Sequence, residues 1–314
     1  MKNEKQKLTL DDGNIVDAQT PLIVSASRAT DIPAFYSNWF FNRLSKGHVR
    51  WRNPYNGKDS YVSFDNTKFI VFWSKNPAPL FPFLPILKQK GIGCYVQYTL
   101  NDYEAEGLEP SVPPLHGRIE TFKRLVDELG LGSVVWRFDP LILTDRISAE
   151  DLLHKISNIA GELRGYVEKL VFSFADISSY RKVGRNLSEA GINYHEWSED
   201  EMVEFSRRLA DMNLGLELAT CAEKIDLSEY GINHNRCIDP ELIVRLSPEL
   251  EPLIRNSKTD KGQRSLCGCI TSKDIGTYNT CPHGCAYCYA NTSPVSARQN
   301  YLRHQQNPDN DSII

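Results

Sequence analysis

Three cysteines near the C-terminal end of the chain, Cys281, Cys285 and Cys288, stand at C-x3-C-x2-C spacing in the stretch Tyr278-Asn-Thr-Cys-Pro-His-Gly-Cys-Ala-Tyr-Cys-Tyr-Ala-Asn291. One loop can fold three such thiolates onto three corners of a single metal cluster. Three protein ligands leave the fourth position of a cubane [4Fe-4S] cluster open, and an open position is where a metal site does chemistry. Competing readings fit the spacing less well. Structural zinc takes four ligands, commonly as two C-x2-C pairs. A ferredoxin would run C-x2-C-x2-C-x3-C-P. A disulfide needs an oxidising compartment, to which nothing in the sequence points.

The rest of the chain must position that loop. At 314 residues it suits one large barrel or two ordinary domains. The net charge of −4 creates no global field for nucleic acid and leaves only a local basic groove open as a route to it. No apolar run of about 18 residues offers a membrane span. The start, Met1 to Asn14, lacks the apolar h-region of a signal peptide, so a cytoplasmic location is expected. Eight cysteines in such a chain point to metal or redox chemistry rather than a disulfide framework.

Hydrophobic periodicity sets out the elements. Residues 7–19 read as a hairpin around Asp11-Asp12-Gly13-Asn14 that caps the fold, and 48–65 as a second hairpin around Asn56-Gly57. A strand over 21–27 leads to a helix opened at Pro33. Strands then alternate with helices: 68–73, 94–100, 133–138, 169–174, 214–220 and 274–280. Helices are expected over 79–90 and 115–129, from Ser148, from Ser198 and near 294–304. Ser148 with Asp151 and Ser198 with Glu201 have the spacing of capping boxes. Such βα alternation implies a parallel sheet, and seven strands suit a TIM-like barrel, closed or partly open. The expected organisation is one α/β barrel domain over 1–314, with a cysteine-containing insertion over 221–273. In such barrels the site lies at the C-terminal strand ends. Polar groups gather at each of those ends: Arg28, Thr30 and Asp31; Ser74, Lys75 and Asn76; Thr99 and Asn101; Arg137 and Asp139; Ser173 and Asp176; Glu217 and Thr220; and last the cysteine loop.

With Tyr287 just before its third cysteine, the loop resembles the radical S-adenosylmethionine (radical SAM) superfamily, whose signature is C-x3-C-x-aromatic-C. The resemblance implies that Cys281, Cys285 and Cys288 hold the cluster and that Tyr287 lies against the adenine of S-adenosylmethionine. Those proteins usually carry the loop after the first barrel strand, whereas here it follows the last. Circular permutation accounts for this, with the 274–280 strand in first place beside the 21–27 strand. Gly-Gly-Glu, which often binds the amino group of SAM, is then replaced by Ser27-Arg-Ala-Thr-Asp31, similar to the Thr-Asp turn of spore-photoproduct-lyase-like members. By the same resemblance Thr30, Asp31, Lys75, Thr99, Arg137 and Asp139 are expected to contact SAM. His283, within the loop, is expected to face solvent. The chain from Ile23 to Asn291 also resembles a bacterial family, domain of unknown function 1848, through Arg28-Ala-Thr-Asp-Ile-Pro-Ala-Phe-Tyr36, Phe72-Trp-Ser-Lys-Asn-Pro77, Thr220-Cys-Ala-Glu223 and Tyr278-Asn-Thr-Cys-Pro-His-Gly-Cys285.

Four further cysteines, Cys221, Cys237, Cys267 and Cys269, are enough for a second [4Fe-4S] cluster or an all-cysteine zinc site, with the cluster favoured because the chain would already depend on iron–sulfur assembly. Buried apolar cysteines are the bland alternative. Cys94, inside a strand, reads as core. The expected function is a radical SAM enzyme of open substrate, served by a reductase or a flavodoxin or ferredoxin electron donor. The rivals are a non-enzymatic zinc or electron-transfer protein, and a nucleic-acid repair enzyme like spore photoproduct lyase.

Overall fold

In the computed structural model, which describes residues 5–314 apart from Asp11, Lys261 and Ser265, eight strands form one sheet. Their spatial order is Asn233–His234, Glu217–Thr220, Lys169–Phe174, Val134–Leu141, Gly93–Thr99, Phe69–Ser74, Ile23–Ala26 and Lys273–Asp274. Every ladder is parallel. This is the sheet that βα alternation demands, with Asn233–His234 added. Among the described residues no ladder joins the two outer strands, so the sheet is open and a closed barrel is not formed.

Helices begin where the sequence supplies caps. Ser148 and Ser198 each close a full capping box, with Asp151 and Glu201 respectively, at the starts of Ala149–Glu162 and Glu199–Asp211. Leu115–Leu129 follows Pro114 and stops before Gly130. The stretch 79–90 divides into a 3-10 turn, Ala78–Phe83, and a helix, Leu84–Lys90, because Pro82 and Pro85 remove the backbone donors of a continuous helix. The helices Arg181–Glu189, Pro240–Leu246 and Glu251–Ile254 were not expected from the sequence. The two hairpins join edge to edge as a separate four-stranded sheet, with Ile15–Gln19 pairing in parallel with Asp59–Ser63. Asp11, within the first turn, lies outside the described residues.

Strand alternation buries the large sheet on both faces. Val24, Ile70, Phe72, Val96, Tyr98, Trp136 and Phe172 meet the helices in the main core. Ile23, Phe69, Val71 and Tyr95 point the other way and are covered by Ile238, Ile243, Leu250, Ile254 and Ile270. Part of the 221–273 stretch, the part carrying Ile238, Ile243, Leu250, Ile254 and Ile270, therefore lies across the inner face of the sheet, whereas Leu227 and Ile232 of the same stretch join the main core.

The expected strand over 274–280 is confined to Lys273–Asp274, which pairs in parallel with Val24 and Ser25. The ladder stops because the Asp274 side chain takes over its donors. Its carboxylate accepts from Ser25 Oγ (2.9 Å), Ser27 Oγ (2.7 Å), the Arg28 amide (2.8 Å) and the Gly276 amide (2.9 Å). A Cβ at Gly276 would meet Ser27 Oγ at 1.8 Å. Gly276→Ala is therefore expected to destabilise the fold by about 1–3 kcal/mol through overpacking. An unchanged urea midpoint would show that this contact relaxes freely.

The helix Pro294–Gln306 backs the cysteine loop. Its His304 ring stands edge-on to Tyr36 and its Nδ1 meets the Ile313 carbonyl at 2.8 Å. Burial holds the imidazole below its ordinary pKa, against the opposing pull of that hydrogen bond. The unfolded chain therefore takes up the proton first as pH falls. The neutral ring's contribution to stability is complete above about pH 6.5 and is lost as pH falls through the folded pKa. Denaturant midpoints measured from pH 8 to pH 5 should show that loss, and His304→Gln should reduce the slope.

Candidate functional site

The cysteine loop is irregular chain held by side chains from several elements. Tyr36 Oη donates to the Thr280 carbonyl at 2.6 Å. Asn291 Nδ2 donates to the Cys281 carbonyl at 2.7 Å and Asn300 Nδ2 to that of Asn279 at 2.8 Å. The Ala286 amide binds the Leu108 carbonyl and the Ser111 amide binds that of His283. Asn279 and Gly284 sit at positive φ and turn the chain. The contacts to the Thr280 and Asn279 carbonyls occupy acceptors that a strand over 275–280 would have used in a ladder.

Two buried polar knots tie the loop to the strand ends. The first centres on Asp31. Its Oδ1 accepts from the Ala34 amide (2.9 Å), capping Ile32–Phe35, and from Ser74 Oγ (2.7 Å). Its Oδ2 accepts from the Lys75 amide and from His283 Nε2, both at 2.8 Å. His283 is 2 % exposed and packs edge-on against Phe35. The expectation that it faces solvent is corrected: an imidazole N–H satisfies a carboxylate that would otherwise be buried without enough donors.

The second knot centres on Glu109, in the loop before Leu115–Leu129. Lys75 Nζ lies 2.7 Å from its Oε1, and Asn101 Nδ2 3.1 Å from the same atom. Tyr287 Oη donates to Glu109 and accepts from Lys75 Nζ at 2.9 Å and Asn101 Nδ2 at 3.0 Å. Arg118 approaches the other oxygen at 3.6 Å. Burial alone would lift the Glu109 carboxyl, yet Lys75 and Arg118 hold it below its ordinary pKa. Burial would lower the Lys75 amine, yet Glu109, and after it Cys285, keep it above its ordinary value.

The three loop thiols lie within one electrostatic neighbourhood. Burial is the main force raising each of them, and the proximity of Cys288 adds to it at both Cys281 and Cys285. With no bound cation they are protonated at neutral pH; a coordinated metal deprotonates a thiol outright. Beside Asp31, the Thr30 hydroxyl is buried without a hydrogen-bond partner. Three buried thiols on one loop and an unsatisfied hydroxyl next to the knot that holds that loop are residue types that suit a cluster with a polar ligand at its open position. Among the described residues, no group of three or more His, Cys, Asp or Glu side chains forms a ready cage for a metal ion.

The expected SAM-contacting residues divide into two groups. Thr30, Asp31, Lys75 and Tyr287 gather at the loop, but the polar ends of the last three are engaged by protein partners. The Asp31 carboxylate already has four donors, as many as its lone-pair directions accommodate. Thr99, at the end of Gly93–Thr99 and half-buried, stands in register with Arg137. Arg137 and Asp139 pair with each other, and Asp139 also accepts from Ser173. Arg137 points to the second cysteine set, with NH1 3.2 Å from Cys237 Sγ.

That second set also converges. Cys221 and Cys237 sulfurs are 3.4 Å apart and Cys267 and Cys269 are 3.1 Å apart, and the Ile238 amide, next to Cys237, donates to Cys269 Sγ at 3.2 Å. Cys94 stays apart, its thiol pushed up to about 12 by burial. Glu109, Arg118 and Asp274 were not singled out from the sequence, and His283 was given no structural role. Glu109 sits in a non-periodic loop, and only the Asp-x-Gly at 274–276 carried a local turn signal.

A family model described as Domain of unknown function (DUF1848) matches residues 23–290. No curated protein matches the chain, and no solved structure does. Among the described residues no helix is long and apolar enough to cross a membrane.

Proposed function

For a chain that belongs to the family Domain of unknown function (DUF1848), whose matched region spans both cysteine sets, we propose the function of an iron–sulfur radical SAM enzyme. The observation that carries this reading is the docked three-cysteine loop with its buried, partnerless Thr30 hydroxyl. Cys281, Cys285 and Cys288 would hold a [4Fe-4S] cluster through three irons. When bound, the cluster and S-adenosylmethionine supply reductive cleavage to a 5′-deoxyadenosyl radical that abstracts hydrogen from substrate.

The chain's own residues do the positioning. His283 and Asp31 hold the loop over the ends of Ile23–Ala26 and Phe69–Ser74. Tyr287, through Glu109 and Lys75, fixes the middle of the loop and buries Cys285. Thr30 offers a hydroxyl to the ligand. The finer fold reading is a permuted, open βα barrel. Its support is the parallel pairing of Lys273–Asp274 with Ile23–Ala26, which brings the last strand beside an early one. A flavodoxin or ferredoxin in the cytoplasm fits the need for a one-electron donor.

The test is anaerobic reconstitution with iron and sulfide, then incubation with SAM and dithionite. Formation of 5′-deoxyadenosine and methionine is expected. A protein that holds a cluster yet yields neither, and whose electron paramagnetic resonance spectrum ignores SAM, would sink the reading.

A further inference from the structure

We propose that Cys221, Cys237, Cys267 and Cys269 form a second, closed site for a single thiophilic divalent cation of the zinc class. The inference is independent of the chemistry at the C-terminal loop. The four residues come from three places: the end of Glu217–Thr220, the turn before Pro240–Leu246, and the Cys267-Gly268-Cys269 turn. Cys221 and Cys237 form one pair, with sulfurs 3.4 Å apart, and Cys267 and Cys269 a second, 3.1 Å apart; the Ile238 amide, next to Cys237, donates to Cys269 Sγ at 3.2 Å and brings the two pairs together.

Those separations decide between metals. Four sulfurs at about 2.3 Å from a tetrahedral zinc lie about 3.8 Å from one another. Ligand sulfurs of a cubane stand about 6–7 Å apart. Spreading each of the two measured pairs by less than an ångström, within reach of small side-chain rotations, brings it to the zinc spacing. The cubane spacing requires opening a cavity among buried Ile238, Ile270 and Tyr95.

Two of the four sulfurs, those of Cys237 and Cys269, are met by directed N–H donors. Cys237 Sγ accepts from Arg137 NH1 at 3.2 Å and from Asn235 Nδ2 at 3.4 Å. Cys269 Sγ accepts from the Ile238 amide at 3.2 Å, and Arg28 NH2 stands 3.9 Å away. Directed N–H groups on sulfur are the outer contacts that orient metal-bound thiolates. A core cysteine is a small hydrophobe and needs none. The backbone is fixed as well: the Cys237 carbonyl accepts from Tyr95 Oη at 2.6 Å and Gln97 Nε2 at 3.0 Å. The bound ion would pin the 221–273 stretch to the inner face of the sheet, four residues before Lys273–Asp274.

The test uses two preparations. In the triple variant Cys281→Ala, Cys285→Ala, Cys288→Ala, which removes the loop as an iron site, elemental analysis should find one zinc per chain. X-ray absorption should place four sulfurs at about 2.3 Å from it. Adding Cys269→Ser should abolish the zinc, whereas Cys94→Ser should leave it. To guard against misfolded variants, the unmodified chain is titrated with an organomercurial in the presence of a zinc indicator. Release of one equivalent is expected. Iron with acid-labile sulfide in the triple variant, disulfides among the four cysteines, or metal-free protein with four titratable thiols would each overturn the assignment.

Discussion

Replacing any one of Cys281, Cys285 or Cys288 with alanine is expected to abolish both the SAM-responsive cluster signal and 5′-deoxyadenosine formation. On the proposed reading each residue would supply one of only three protein ligands, so no spare thiol would take its place. Burial is the largest influence on each thiol and disfavours the free thiolate, so a bound cation is needed to make three negative sulfurs tolerable there. The loop's position rests on Tyr36, His283, Tyr287 and Asn291 rather than on the sulfurs, so the variants should remain folded. Circular dichroism and denaturation midpoints near those of the unmodified chain are the control. A single variant that keeps the SAM-responsive signal refutes the ligand assignment.

Glu109→Gln is expected to be the most damaging substitution outside the cysteines. It leaves the Lys75 ammonium and the Arg118 guanidinium buried without their shared carboxylate. Breaking a buried ion pair from one side costs about 3–5 kcal/mol, because a charge remains without compensation. The loss should appear as a lowered urea midpoint. It should also appear as faster hydrogen exchange over 278–291, since the Tyr287 hydroxyl loses its carboxylate acceptor. Lys75→Met should cost less, because Arg118 still faces Glu109. Equal midpoints for Glu109→Gln and the unmodified chain would mean that the knot does not hold the loop.

The reach of local sequence signals differs between these two sites. C-x3-C-x2-C within one turn-rich loop is legible because its cysteines are neighbours in the chain. The βα alternation is legible because strand and helix periods are local properties. The capping boxes at Ser148 and Ser198 were readable for the same reason.

Long-range partnerships were not readable. His283 looked like a solvated loop residue until Asp31, 252 positions away in sequence, was brought beside it. Glu109 carried no periodic or motif signal, and its role exists only because Lys75, Asn101, Arg118 and Tyr287 close around it. The strand expected over 274–280 ends after two residues because Asp274 binds donors nearly 250 positions away. Barrel closure was equally a tertiary matter: seven of the eight sheet strands were legible, but the added Asn233–His234 strand and the packing of Ile238, Ile243, Leu250, Ile254 and Ile270 on the inner face were not. The second cysteine set shows the division most clearly. Its members were visible in the chain, but the sulfur separations that point to one ion rather than a cluster arise only where three distant segments meet. Residue type and short spacing determine which groups are capable of chemistry; burial and the pairing of distant charges decide which of them are left free to do it.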